Sequence, residues 1–196
     1  MAGLQEFIST MKKSGGFARL AKYEIEFGLP QALQGLGIDL AQRDVQLLCD
    51  TVIMPGHDLQ TQTVQFGNDV AREQVTAHAY EGTITASFYL DDHFEVKSFF
   101  DLWQQAAVNP RTNKANYYST YTGSMKIFQL GEGKALHGGR VLGRDTPRKY
   151  GIEAIDVYPV TIGQIEYGAA TVDEVAILTV EFQYRKWKII NPNLLG

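Results

Sequence analysis

The clearest signal in the chain is alternation. In Thr83-Ile84-Thr85-Ala86-Ser87-Phe88-Tyr89-Leu90, the residues Ile84, Ala86, Phe88 and Leu90 share one face, and Thr83, Thr85, Ser87 and Tyr89 share the other. A period of two is the mark of a strand with one buried side. The same pattern recurs in residues 175–187. There Ala176, Leu178, Val180, Phe182 and Tyr184 oppose Thr179, Glu181, Gln183 and Arg185. Earlier, Tyr23, Ile25 and Phe27 alternate with Lys22, Glu24 and Glu26. Strands are also expected over residues 60–66, 125–130 and 152–162. The stretch holding Val45, Leu47, Leu48 and Val52 fits strand or helix.

Two segments carry a helical period. Leu4, Phe7, Ile8 and Met11 form a short stripe that Ser14-Gly15-Gly16 ends. The principal helix follows Asp92. With Glu95 three residues on, Asp92 reads as a capping box, and Val96, Phe99, Phe100, Trp103, Ala106 and Ala107 form a wide apolar stripe that Asn109-Pro110 stops. A stripe with two Phe and a Trp has to lie against a sheet. The expected fold is mainly β, a sandwich or barrel with one flanking helix and a long hairpin arm.

Length and composition narrow the class. The chain has 196 residues, 44% hydrophobic and 11% aromatic, which is enough for a core and argues against disorder. We expect a single domain over residues 1–196, elaborated around 31–46 and 131–150. No apolar run reaches the length of a membrane span, and the first residues lack the pattern of a signal peptide. A single cysteine, Cys49, leaves no internal disulfide framework and reads as a buried, inert thiol in a reducing compartment. With 18 basic and 22 acidic residues the net charge is −4, the wrong balance for a protein that grips phosphates.

Catalytic and ligand motifs fail in detail. Gly131-Glu132-Gly133-Lys134 continues with Ala135 where a phosphate loop needs Ser or Thr, and Phe128 stands where its first Gly belongs. A dinucleotide fingerprint fails because Leu136 replaces the third Gly. His57, His78, His93 and His137 show no metal-ligand spacing. Ser124 reads as a turn serine without a nucleophile elbow, and Asp91-Asp92 as helix-start carboxylates. Arg140, Arg144, Arg148 and Lys149 read as a solvated loop or a contact to an acidic partner. These residues point away from an enzyme, with no cofactor and no metal expected.

The order of the pieces resembles the tail tube protein of contractile-tailed bacteriophages, within the superfamily that includes type VI secretion tubes. Gly15-Gly16 leads into a first strand, Tyr23-Glu24-Ile25-Glu26-Phe27. Leu47-Leu48-Cys49 then runs to Met54-Pro55-Gly56. A strand next ends in an aspartate-capped helix with a central Trp, here 88–92 and then 94–103. Tyr158-Pro159, Ile162 and Ile165 follow, and Gln183-Tyr184-Arg185-Lys186-Trp187 closes the set. The resemblance spans about residues 7–188. The stretches 31–46 and 137–149 are longer than the family pattern.

The resemblance implies homohexameric rings that share an inner β-barrel and stack into a hollow tube within a sheath. It also implies partners: the tail sheath protein, the tape-measure protein, and baseplate and tail-terminator proteins. DNA would pass through without specific binding, and no membrane insertion is involved. The expected location is the virion tail, after assembly in the host cytoplasm. Alternatives are a tube-initiating baseplate protein, a tube protein of a non-viral contractile system, or, in another class, a monomeric sandwich binding a ligand among Ile84, Phe88 and Phe182.

Closing strands from all copies into one wall would remove exposed sheet edges. A wall strand then needs a polar, non-basic second face. Glu24, Glu26, Thr83, Thr85, Ser87, Thr179, Glu181 and Gln183 are the expected lumen-facing residues, and Lys22 and Arg185 fit least well. The polar stretch 68–80, with Asn68, Asp69, Arg72 and Glu73, is the expected arm that orders on the next ring.

Overall fold

The computed structural model describes residues 17–34, 39–80, 82–131, 148–168 and 175–190, together with 3, 5, 6, 8 and 9. The turn at Gly15-Gly16, most of the first helical stripe, the middle of the 31–46 stretch, and Arg140, Arg144 and His137 fall outside the described residues.

Among the described residues, residues 5, 6, 8 and 9 are helical, and from Tyr23 onward nine strands and three α-helical segments follow in this order. β1 (Tyr23–Gly28) and a single 3-10 turn lead to α1 (Asp39–Leu47). β2 (Cys49–Val52), β3 (His57–Val64), β4 (Arg72–Tyr80) and β5 (Thr83–Tyr89) come next. α2 (Glu95–Ala107) and the one-turn α3 (Tyr118–Tyr121) precede β6 (Gly123–Leu130) and β7 (Arg148–Ile162). β8 (Ile177–Gln183) and β9 (Lys186–Ile190) end the set. Seven strands form one sheet in the order β1-β6-β7-β8-β5-β2, with β9 paired to β7, and β3-β4 form a separate two-stranded sheet. The fold is mainly β with one long helix.

The chain divides into two compact units. In the larger, Ile25–Lys126 with Glu153–Lys188, the core lies between α2 and one face of the sheet. Val96, Phe99, Phe100 and Trp103 are the buried stripe of α2, as their spacing predicts. They meet Phe88 of β5 and Phe182 of β8, and Ile84, Ala86, Leu178 and Val180 of the same strands are fully buried as well. Ring centroids of Phe88 and Phe100 are 4.9 Å apart, those of Phe100 and Phe182 5.6 Å, and those of Phe27 and Phe182 5.7 Å. Packed rings therefore occupy the space that a ligand-binding sandwich would leave open between Phe88 and Phe182. Trp103 Nε1 donates to the Tyr121 carbonyl at 2.8 Å, which satisfies its one polar atom within the core. Gly28 and Gly123 sit where β1 and β6 approach so closely that a Cβ on Gly123 would strike the Gly28 carbonyl.

The smaller unit comprises Met1–Glu24, Ile127–Ile152 and Ile189–Gly196. Here Leu130 N donates to the Lys22 carbonyl at 2.9 Å, and Gln129 Nε2 donates to the same carbonyl at 2.8 Å. The Arg148 guanidinium lies 4.0 Å from the centroid of the Phe128 ring. That ring in turn occupies the space a side chain on Gly151 would need.

Several expectations change. The α2 cap is Asp91 rather than Asp92. Its carboxylate accepts from the backbone N–H groups of His93, Glu95 and Val96, while Phe94, in the left-handed region at φ 56°, occupies the N-cap position. Burial works to raise the Asp91 pKa, but these N–H groups outweigh it and hold the carboxyl below its ordinary value. The run over 175–187 is two strands, broken at Tyr184-Arg185, because Arg185 N donates to the Ile155 carbonyl and turns the chain onto β7. Tyr158-Pro159 lies within β7, and the strand expected over 152–162 carries a register shift between Pro159 and Thr161. Ser124 lies in β6 and Cys49 is half-buried at the start of β2, its thiol 3.4 Å from the Thr51 carbonyl. The ambiguous stretch around Val45 is helix up to Leu47 and strand from Cys49.

Candidate functional site

The sheet face of the larger unit that points away from α2 carries a polar block on β5 and β8. β5 and β8 pair antiparallel with Thr83 opposite Gln183, Thr85 opposite Glu181 and Ser87 opposite Thr179. Directly opposite residues on antiparallel strands share a face. The six β5 and β8 residues expected in a lumen therefore form three cross-strand pairs, one block of side chains. Ser87 Oγ and Thr179 Oγ1 are 3.1 Å apart. Neighbouring strands widen the block. Thr51 of β2 is opposite Ser87, and Thr161 of β7 is opposite Glu181. Thr51 and Thr161 were not anticipated, since β2 is too short to display alternation and Thr161 follows the Pro159 irregularity. Glu181 is the one charge among these eight residues.

Glu24 and Glu26 do not join that block, for β1 is the end strand of the sheet, with β6 and β7 between it and β8. Glu24 receives the Arg148 guanidinium at 3.0 Å, so one member of the basic 140–149 cluster is held within the smaller unit. Arg185 pairs with Asp156, a residue at φ 59°. At the β2 side, Tyr89 Oη donates to Asp50 Oδ1 at 2.7 Å, and this bond to a carboxylate raises the Tyr89 pKa above its ordinary value.

The second feature is the hairpin. β3 and β4 pair from His57 opposite Tyr80 to Val64 opposite Arg72, so residues 68–80, the expected arm, are the tip and returning strand of a two-stranded ribbon. Asn68 and Asp69 form its tip, beside Gly67 at φ 59°. Asp69 Oδ1 accepts from Val70 N at 2.8 Å, Arg72 reaches Asp69 at 3.4 Å, and Thr63 Oγ1 donates to Glu73. Phe66 and Val70 are 62% and 83% exposed at this tip. A two-stranded ribbon is marginally stable by itself in water. Its root is held by rings, with His57 5.0 Å and Tyr80 6.3 Å from Trp187, whose Nε1 donates to the Gly56 carbonyl at 3.2 Å.

A family model described as phage tail tube protein matches residues 18–190. The chain belongs to the phage tail tube protein family. The match takes in the polar block, the hairpin and α2 alike. Among solved structures, the fold of this tail tube family member is similar to a chain of the PVC extracellular contractile injection system sheath-tube complex in its extended state. That likeness has a TM-score of 0.58 at 9% identity and covers 93% of this chain and 97% of that one. It is similar, also at 0.58 and with 11% identity, to a chain of the anti-feeding prophage tube-terminating cap, covering 89% of this chain and 91% of that one. A chain of the PVC sheath/tube terminator gives 0.55 at 9% identity, covering 88% and 95%. No curated protein matches the sequence. Family membership gives the chain a structural role in a tube.

Proposed function

We propose that this chain is the building block of the inner tube of a contractile phage tail, with residues 1–196 acting as one tail-tube domain elaborated around 31–46 and 131–150. Six copies close into a ring, the rings stack, and the bore conducts DNA during ejection. The polar block on β5 and β8 carries this reading. It presents hydroxyls, an amide and one carboxylate, and its six residues include no Lys or Arg. A cationic lining would release counterions from DNA at every ring and retain the polyanion; this surface offers phosphates no positive charge. Thr83, Thr85, Ser87, Thr179, Glu181 and Gln183 face the bore, and Glu24 and Glu26 take their place on the end strand of the wall.

The hairpin supports stacking. An exposed ribbon tipped by Phe66 and Val70 gains stability when a neighbouring ring covers it. Asn68, Asp69, Arg72 and Glu73 shape that tip. The role is structural rather than catalytic. Sheath, tape-measure, baseplate and terminator proteins are the partners, assembly takes place in the host cytoplasm, and the mature location is the virion tail.

Size-exclusion chromatography with negative-stain microscopy of the full chain tests this. Hollow rings or tubes are expected at high protein concentration. A strict monomer under all conditions that favour assembly would overturn the reading.

A further inference from the structure

The two ends of α2 carry opposite charge. At its N-terminal end an open groove of about 770 Å³ has apolar walls from Leu90, Phe94, Ile165 and Ile177, and Asp92 and Glu166 at its lining. Both carboxylates are exposed, and neither makes a hydrogen bond or ion pair with a described residue. Asp91 is already engaged by the helix N–H groups, so capping does not use up the other two. The acidic character extends through the sequence, since no Lys or Arg occurs between Lys149 and Arg185.

Beyond the other end of α2, about 20 Å away for 13 residues, a loop holds Arg111, Lys114 and Tyr117. No Asp or Glu occurs between Asp101 and Glu132. The loop is held in shape by its own bonds. Asn109 Oδ1 accepts from Arg111 N at 2.9 Å, Asn113 N donates to the Asn109 carbonyl at 2.9 Å, and Asn116 Nδ2 donates to the Ala106 carbonyl at 2.8 Å. Asn113 sits at φ 50°. Tyr117 is 86% exposed, and the Arg111 and Lys114 side chains have no ion-pair partner among the described residues. The helix dipole explains little of this, because its influence fades within the last turn and Lys114 lies seven positions past Ala107.

We infer that the loop carrying Arg111, Lys114 and Tyr117 docks into the Asp92–Glu166 groove of a second copy of this chain. Two cations meet two carboxylates, and the Tyr117 ring covers apolar wall. Because donor and acceptor surfaces lie at opposite ends of one helix, the contact is head-to-tail. Such a contact repeats from copy to copy and generates a closed ring or a growing stack. The inference rests on the tube reading and adds to it the pair of surfaces that join copies.

The test uses two charge-reversed full-length variants, Arg111→Glu/Lys114→Glu and Asp92→Lys/Glu166→Lys, each checked for an unchanged circular dichroism spectrum and melting temperature. Either variant alone is expected to need at least tenfold more protein to assemble than the unmodified chain, as followed by light scattering and sedimentation. Mixing the two in equal amounts should restore assembly to within about threefold, because each loop then finds a groove of opposite sign on the other variant. Unmodified protein should also assemble less well as salt rises, since exposed ion pairs are screened. If both variants form tubes as readily as the unmodified chain, or if the mixture is no better than its parts, this contact is wrong while the tube reading stands. If the unmodified chain never associates, the tube reading fails and takes this contact with it.

Discussion

Ser87 and Thr179 face each other across β5 and β8 with their hydroxyl oxygens 3.1 Å apart, although 92 positions separate them in the chain. Their shared hydrogen bond sits at one end of the polar block, on the face that α2 does not cover. Each residue is followed two positions along its own strand, toward opposite chain directions, by the next pair of the block. A change at Thr179 therefore tests the proposed bore without touching the core. Thr179→Lys is expected to keep stability within about 0.5 kcal/mol, as surface changes usually do. Assembled tubes of this variant should retain DNA in a salt-dependent manner that unmodified tubes do not. Nuclease-protected DNA in purified tubes, measured across a salt series, is the readout, and equal protection in both would remove β8 from the lumen.

Trp103 joins α2 to two parts of the larger unit at once, through its ring against Phe27 of β1 and its Nε1 bond to the Tyr121 carbonyl of α3. Trp103→Ala should cost about 3–5 kcal/mol, the range for deleting a buried aromatic side chain. Urea unfolding gives the number. A loss under 1 kcal/mol would mean that the helix is not seated on the sheet as described.

Asp91 and Asp92 are adjacent but unequal. Asp91→Ala should cost about 0.5–2 kcal/mol, the range of a lost helix cap, whereas Asp92→Ala should leave stability nearly unchanged. The pH dependence has a definite sign. The folded-state pKa of Asp91 lies below its ordinary 3.8, so the folded chain binds fewer protons there than the unfolded one. The stabilisation is full above pH 3.8 and disappears as the pH falls through the lower folded value. Acid unfolding curves of unmodified and Asp91→Ala protein should therefore converge at low pH.

The ring contacts of Trp187 with His57 and Tyr80 hold the root of the hairpin, and no other described ring outside β3 and β4 meets them. Trp187→Ala is expected to speed amide hydrogen exchange across β3 and β4 at least tenfold while β5 and β8 keep their protection. Uniform loss of protection would indicate that Trp187 supports the whole unit instead.

Shortening the hairpin tests the arm. Val64 and Arg72 are the last ladder pair, so replacing residues 65–71 by Asn-Gly closes the ribbon with a two-residue turn. The shortened chain should fold with unchanged melting temperature and fail to polymerise. Tubes of normal length would show that the tip does not join rings.

The alternation of residues 83–89 and the stripe of Val96, Phe99, Phe100 and Trp103 were legible because a strand or helix writes its own period into the sequence. Even so, local patterns misplaced the α2 cap by one residue. Asp91 and Asp92 are the same residue type, and backbone geometry at Phe94 decides which carboxylate reaches the N–H groups. The pattern marked residues 68–80 as an arm within a fold expected to carry a long hairpin, but which residues of His57 to Val64 and Arg72 to Tyr80 face each other is a register that only the structure gives. For the candidate site, the sequence named Thr85 and Glu181 as polar-face residues. It could not state that they are opposite one another.

What the sequence determined by itself, then, is which residues turn toward an apolar interior and which away, because burial acts on each side chain within a few positions of chain. Membership of the strands in one sheet, the separation of β3-β4 as a ribbon, and the gathering of Thr51, Ser87, Thr179, Thr85, Glu181 and Thr161 into one surface were decided only by the tertiary structure. Those relations depend on backbone hydrogen bonds between segments up to a hundred residues apart, and such bonds are nearly the same for any side chain and so leave no mark on the residues they join.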